Sequence, residues 1–292
     1  MNDDSSLNTS LQDKSFAYIS QFAAAPFVLE EMNQFRTKYN KKSILEDIYG
    51  LDLNLIGRGL CLPATTCTCL NSLYGIKRFD EASIASMFQI LFPLHGTPAN
   101  DPVTQLPYPN GWQIVTDQGD MYYHAIDYWV NHIAQGEVRA SILINYDNLE
   151  DISTLVKSSN IVATLSLDNI FTLDWISKIQ QKSSVQFIKQ DEQGKYIINN
   201  LNSNDKPFQN GRHAVSLLDA KDNHLLISDS FALPGISVDQ AIRWWPLDTI
   251  AKYTQYQSSL PKRAIIFSFT QDSNPQLKKS INNFGIPSAV PN

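Results

Sequence analysis

Apolar positions recur at helical spacing through the first half of the chain and in strand-like runs through the second. Pro63, Cys67, Leu70 and Tyr74 follow one another at helical spacing. Pro63 suits a first helical turn, where its missing N–H is not needed, and Gly75 suits the C-terminal cap. The next expected helix has Asp80 as N-cap, an apolar face of Ile84, Met87, Phe88 and Leu91, and Pro93 as its stop. A third is expected from Asp120, with Tyr122, Ala125, Ile126, Trp129 and Ile133 turned inward. A fourth has Asp147 and Glu150 in capping-box positions and a stripe of Leu149, Ile152, Leu155 and Val156.

Strands are expected at Ile161–Leu167, at Ser184–Lys189 with Lys195–Asn200 as a hairpin, at His213–Leu218 with His224–Asp229 as a second hairpin, and at Ala264–Phe269. Helices first and hairpin-linked strands later predict an α+β fold with an antiparallel sheet. Residues 1–15 and 271–292 read as loose tails. Polar stretches at 97–111 and 199–211 read as long loops of one domain rather than boundaries.

With 292 residues, 43% hydrophobic and 18% charged, the chain has enough apolar material for a sizeable core. Its net charge of −6 argues against sequence-independent nucleic-acid binding and against docking on an anionic membrane. The polar, acidic start lacks the basic and apolar regions of a signal peptide, and no apolar run is long enough to span a bilayer. A cytoplasmic protein is the default, with secretion by a signal-independent route left open.

Three cysteines, Cys61, Cys67 and Cys69, make no disulfide framework. Thiolates are favoured at helix N-termini, where free N–H groups and the dipole meet negative charge. Only Cys61 occupies such a place, two residues before Pro63 and after a Gly57–Gly59 loop. Cys67 and Cys69 fall inside the helix and read as packed side chains. The C-x5-C-x-C spacing does not suit zinc, and no cofactor is expected.

A cysteine nucleophile needs a base, and the base needs an orienting group. If Leu218 pairs with His224 across a five-residue loop, His213 directly faces Asp229, and the carboxylate can hold the imidazole in one orientation. A slip of one residue would put the two on opposite faces. Taken alone, His213 reads as an exposed strand start and Asp229 as a turn residue; the order Cys…His…Asp is what favours a site.

With these residues in hand, the chain resembles the bacteriocin-processing peptidases, a family of papain-like cysteine peptidases. Cys61-Leu62-Pro63-Ala64-Thr65-Thr66 is similar to the family's Cys-Gly-Pro-Ala/Thr-Ser motif, with Leu62 in place of the glycine. Gly211-Arg212-His213-Ala214-Val215 resembles its Gly-His-x-Val strand. Ile227-Ser228-Asp229-Ser230 resembles its Asn-Asp-Pro strand end without the proline. Phe16-Ala17-Tyr18-Ile19-Ser20-Gln21 resembles its Pro-Tyr-Ile-x-Gln segment.

The resemblance implies a single papain-like domain over residues 16–270, with insertions near 22–60 and 168–210, the latter holding a helix at 172–181. It implies Cys61 as nucleophile, His213 as base and Asp229 as orienter. Gln21, with the Cys61 N–H, would supply the oxyanion donors, and Asn54 is the competing donor. The 40-residue gap from Gln21 to Cys61 exceeds the family's short spacing, and Leu62 in the glycine's place threatens to crowd the cleft.

The expected activity is that of a thiol hydrolase acting on a peptide or protein substrate. Two alternatives stay open: an acyltransferase of the transglutaminase or phytochelatin-synthase kind, and an inactive scaffold that binds a peptide or protein partner. Without a membrane span or a phosphate-binding loop, specificity for double-glycine leaders is not implied. The absence of a G-x-S-x-G elbow argues against a serine hydrolase.

Overall fold

The computed structural model describes residues 14–40, 42–89, 126, 129–130, 137–144, 146, 148–158, 160–168, 185–190, 196–201, 212–231, 241–254 and 262–270. A 3-10 turn at Ser15–Ala17 leads into α1 (Gln21–Tyr39), α2 (Ile44–Tyr49), α3 (Leu53–Gly59), α4 (Cys61–Tyr74) and α5 (Glu81–Gln89). There follow β1 (Val138–Ile144), α6 (Leu149–Ser158), β2 (Ile161–Asp168), β3 (Val185–Gln190) and β4 (Tyr196–Leu201). The remaining elements are β5 (Arg212–Lys221), β6 (His224–Ser228), β7 (Ile242–Pro246), α7 (Leu247–Thr254) and β8 (Arg263–Phe269).

The fold is α+β. Six strands pair antiparallel in the order β1-β8-β2-β5-β6-β7, and β3 and β4 pair with each other as a separate hairpin. Each face of the large sheet carries its own core. One joins Ala140, Val162, Ala214, Leu226, Ile265 and Phe267 to the helices α1 to α5. The other joins Leu165, Val215, Leu217, Ile227 and Ile266 to the stripes of α6 and α7. Burial on both sides explains why β2 reads as a mixed apolar run rather than a clean alternation.

Of α4, every residue from Leu62 to Asn71 is buried. The expected one-sided stripe is therefore too narrow: the helix is wrapped by other helices on one side and by β2 and β5 on the other. Its segment CLPATTCTCLNSLY contains no charged residue, the composition of a helix enclosed on all sides. Gly75 ends it in the left-handed region at φ 71°. Asp80 caps α5 by accepting the Ser83 N–H at 3.0 Å, as expected.

Several readings need correction. Gly57 and Gly59 lie within α3 and do not form a loop. An added Cβ on Gly57 would stand 2.7 Å from Phe22 Cδ1, so its glycine lets α3 lie against α1. The cap of α6 is Asn148, whose Oδ1 accepts the Asp151 N–H at 3.0 Å, in place of Asp147. The helical character expected over residues 22–60 is present, as α1 to α3. Lys14 and Ser15, assigned to the tail by sequence, belong to the fold: Lys14 bonds to β5 and Ser15 starts the 3-10 turn. The remaining tail residues, the helix at 172–181 and most of the helix expected from Asp120 lie outside the described residues.

Candidate active site

Cys61 is the first residue of α4. Its N-cap, Leu60, offers no side-chain acceptor, so no cap side chain occupies the N–H groups of the first turn. Leu62 and all that follows through Asn71 is buried, while Cys61 keeps partial exposure. Leu62 packs into the core, so its side chain does not crowd the space beside Cys61 as its replacement of glycine had suggested. The other two thiols differ in kind. Burial first, and then the charges of Asp80 and Glu81, push the Cys67 thiol far up. Burial pushes Cys69 up to about 12, and its sulfur donates to the Ala163 carbonyl of β2.

His213 and Asp229 meet, but not as the sequence predicts. The hairpin turns on two residues, Asp222 and Asn223, both with positive φ, instead of five. Lys221 therefore pairs with His224, three residues away from the expected partner, Leu218. An odd slip would put His213 and Asp229 on opposite faces. A β-bulge between Leu217 and Asp219 takes up one residue, so that Ser216 pairs with Ser228. The remaining slip is even. His213 and Asp229 share a face as diagonal neighbours, a separation that longer side chains bridge.

The two side chains close that diagonal with a 2.6 Å contact between His213 Nε2 and Asp229 Oδ1. Both groups are buried, at 2% and 8% side-chain exposure. The backbone N–H of Phe231 also donates to Asp229 Oδ1 at 2.9 Å, fixing the carboxylate from behind. The Phe231 ring stands edge-on to the imidazole at 5.9 Å and edge-on to Phe22 at 5.0 Å. With Nε2 taken by Asp229, Nδ1 is the ring nitrogen left over, and the Cys61 side chain is near enough to act on the electrostatics of His213. Burial works against the charged imidazolium, but the Asp229 carboxylate and then Cys61 outweigh it and raise the His213 pKa from 6.5 to about 10.

Gln21 is the first residue of α1 and fully buried. Its side-chain Nε2 donates to the Gly57 carbonyl at 2.9 Å, and its Oε1 accepts from Ser230 Oγ at 2.9 Å. Its backbone N–H donates to the Ser230 carbonyl at 3.2 Å. Gln21 is thereby tied to the residue after Asp229 and to the helix that runs into Cys61. Asn54, the competing donor, is exposed in the first turn of α3.

Sequence reasoning missed Ser230 and Phe231. The signal present was the Asp229-Ser230-Phe231 run, since an aspartate commonly accepts the N–H two residues on. Among the described residues, no group of three or more His, Cys, Asp or Glu is arranged to hold a metal ion. Among them, too, no helix is long and apolar enough to cross a membrane. Comparison of the chain with protein-family models, with curated proteins and with solved structures finds no match to any of the three.

Proposed function

We propose that this chain is a papain-like thiol hydrolase that cleaves a peptide or amide bond through an acyl-enzyme. The single observation that carries the proposal is the buried 2.6 Å contact between His213 and Asp229, with the Cys61 side chain close enough to help raise the His213 pKa. The nucleophile sits on a buried helix ahead of an antiparallel sheet that bears base and orienter, the order expected of the papain-like resemblance.

In this reading the Cys61 proton passes to His213, and the sulfur attacks the substrate carbonyl as a thiolate. Negative charge develops on the carbonyl oxygen, where the Cys61 N–H acts as donor. Gln21, expected as the second donor, is instead buried and bonded to the Gly57 carbonyl and Ser230 Oγ, and braces the helix that runs into Cys61. The tetrahedral adduct collapses, the C–N bond breaks, and the imidazolium gives its proton to the departing amine. Water deprotonated by His213 then attacks the thioester, releasing the acid and restoring the thiol. An amine in place of that water would make the same site an acyltransferase.

The buried His213–Asp229 pair, with Cys61 among the groups that raise the His213 pKa, supports catalysis over a reading in which the scaffold only binds a peptide. The test is labelling of the full chain by iodoacetamide, located by peptide mapping. Cys61→Ala abolishes labelling, whereas Cys67→Ala and Cys69→Ala keep the wild-type level. Equal labelling of Cys61→Ala and wild type would sink the proposal. A Cys61 that labels no faster than a free thiol in solution would favour the binding scaffold.

A further inference from the structure

β5 carries one residue more than its ladders need. Leu217 pairs with Ile227 and Asp219 with Leu226, which leaves Leu218 without a partner on β6. On the other side, pairing with β2 stops at Leu217. The Leu218 backbone thus lies outside both ladders, in a residue only 2% exposed. A buried carbonyl needs a donor. It finds one far away in sequence: Lys14 Nζ donates to the Leu218 carbonyl at 2.8 Å.

Lys14 is placed for this by local structure. Its own carbonyl accepts the Ala17 N–H at 3.0 Å, closing the 3-10 turn. The chain beyond that turn is pinned to α4, where Ile19 N–H donates to Thr68 Oγ1 at 3.2 Å. The segment therefore bridges the helix of Cys61 and the strand of His213. Burial lowers the Lys14 pKa, while the nearby Asp219 opposes the shift. Burying an ammonium is costly, and here the cost is met at the irregular residue of the strand.

We propose that Lys14 is a positioning residue for the His213–Asp229 pair: its ammonium clamps Leu218 in the bulge and so keeps β5 in the register that puts the two side chains on one face. If the bulge straightened, the odd slip set by the two-residue turn would pass along β5 and separate them. The effect on the chemistry of Cys61 rests on the hydrolase reading; the effect on His213 does not.

The test uses the full chain with 15N-labelled histidine and follows the imidazole nitrogens of His213 through a pH titration, assigned against His213→Gln. The wild type should titrate well above 6.5. Lys14→Met should bring the midpoint back toward 6.5, and Lys14→Arg, which keeps a cationic donor, should hold it near the wild-type value. With the hydrolase reading in force, Lys14→Met also slows iodoacetamide labelling of Cys61 by on the order of a hundredfold, the scale of a small misplacement of reacting groups. A folded Lys14→Met with the wild-type midpoint overturns the proposal, as does a folded Lys14→Arg with a lowered one. A wild-type midpoint near 6.5 removes the pair itself and overturns it too. Failure of both variants to fold assigns Lys14 to folding alone and likewise overturns the positioning role. Slow labelling of wild-type Cys61 with the midpoints as expected defeats the hydrolase reading and leaves the role of Lys14 standing.

Discussion

In α4, Cys61 is placed by a helix whose following ten residues are all buried, so each turn is fixed by the layers on either side. In the β5–β6 hairpin, His213 and Asp229 are placed by a register that accumulates from a two-residue turn through a bulge. Strain at one end of a packed helix stays local, because each buried turn is held by its own neighbours. An error in a hairpin travels to the end of both arms and, if odd, inverts the faces. The helix thus tolerates change far from Cys61, whereas the hairpin relies on intermediate supports to keep His213 on the same face as Asp229.

The largest expected effect falls on the hairpin side. Asp229→Ala removes the partner of a buried imidazolium and the acceptor of the Phe231 N–H. The fold should lose about 3–5 kcal/mol in urea unfolding, as for one half of a buried ion pair. Labelling of Cys61 should slow by on the order of a hundredfold or more, the scale of a misplaced base. Loss of stability with unchanged labelling would mean that the hairpin supports the fold but not the thiol.

A second, smaller effect is set by pH. The folded-state pKa of His213, about 10, lies above its ordinary value of 6.5, so the fold prefers the protonated ring. That contribution is whole below about pH 6.5 and is lost as pH rises through about 10. The stability difference between wild type and His213→Gln should shrink over this window by on the order of a few kcal/mol. A difference constant from pH 6 to pH 10 would show that Asp229 does not hold the proton on His213.

The same contrast explains what was legible in the sequence. Pro63 near the start and Gly75 just past the end bracketed α4, and the polarity step at Asp80 marked α5, because these signals are local. That His213 and Asp229 meet was readable from residue type and order. Their geometry was not. The turn at Asp222 and Asn223 was hidden inside DAKDN, where Asp219, Ala220 and Lys221 look as turn-like as the residues that make it. The bulge at Leu218 leaves no mark in an apolar run, and the Lys14 that satisfies it is more than two hundred residues away. β1 and β7 were missed for a related reason: they become strands by pairing with β8 and β6.

The smallest effects separate the two modes of placement most cleanly. Asn223 has φ 60° and Gly75 has φ 71°, so each holds the left-handed conformation, one at the hairpin turn and one at the end of α4. Asn223→Val puts a β-branched side chain where asparagine is tolerated and should cost about 1–2 kcal/mol. Gly75→Ala adds a Cβ that meets nothing within 4 Å, so its cost is conformational only, about 1 kcal/mol. Their consequences at the site should differ more than their costs do. Gly75 lies at the far end of a helix locked along its length, and its substitution should leave iodoacetamide labelling of Cys61 at the wild-type rate. Asn223 lies at the origin of the register, and strain there is relieved by shifting the turn, which displaces His213 against Asp229 and slows labelling severalfold in the folded protein. Equal slowing by both substitutions would break the contrast between helix and hairpin. Slowing by Asn223→Val alone would identify the turn, with the bulge, as the device that assembles the site.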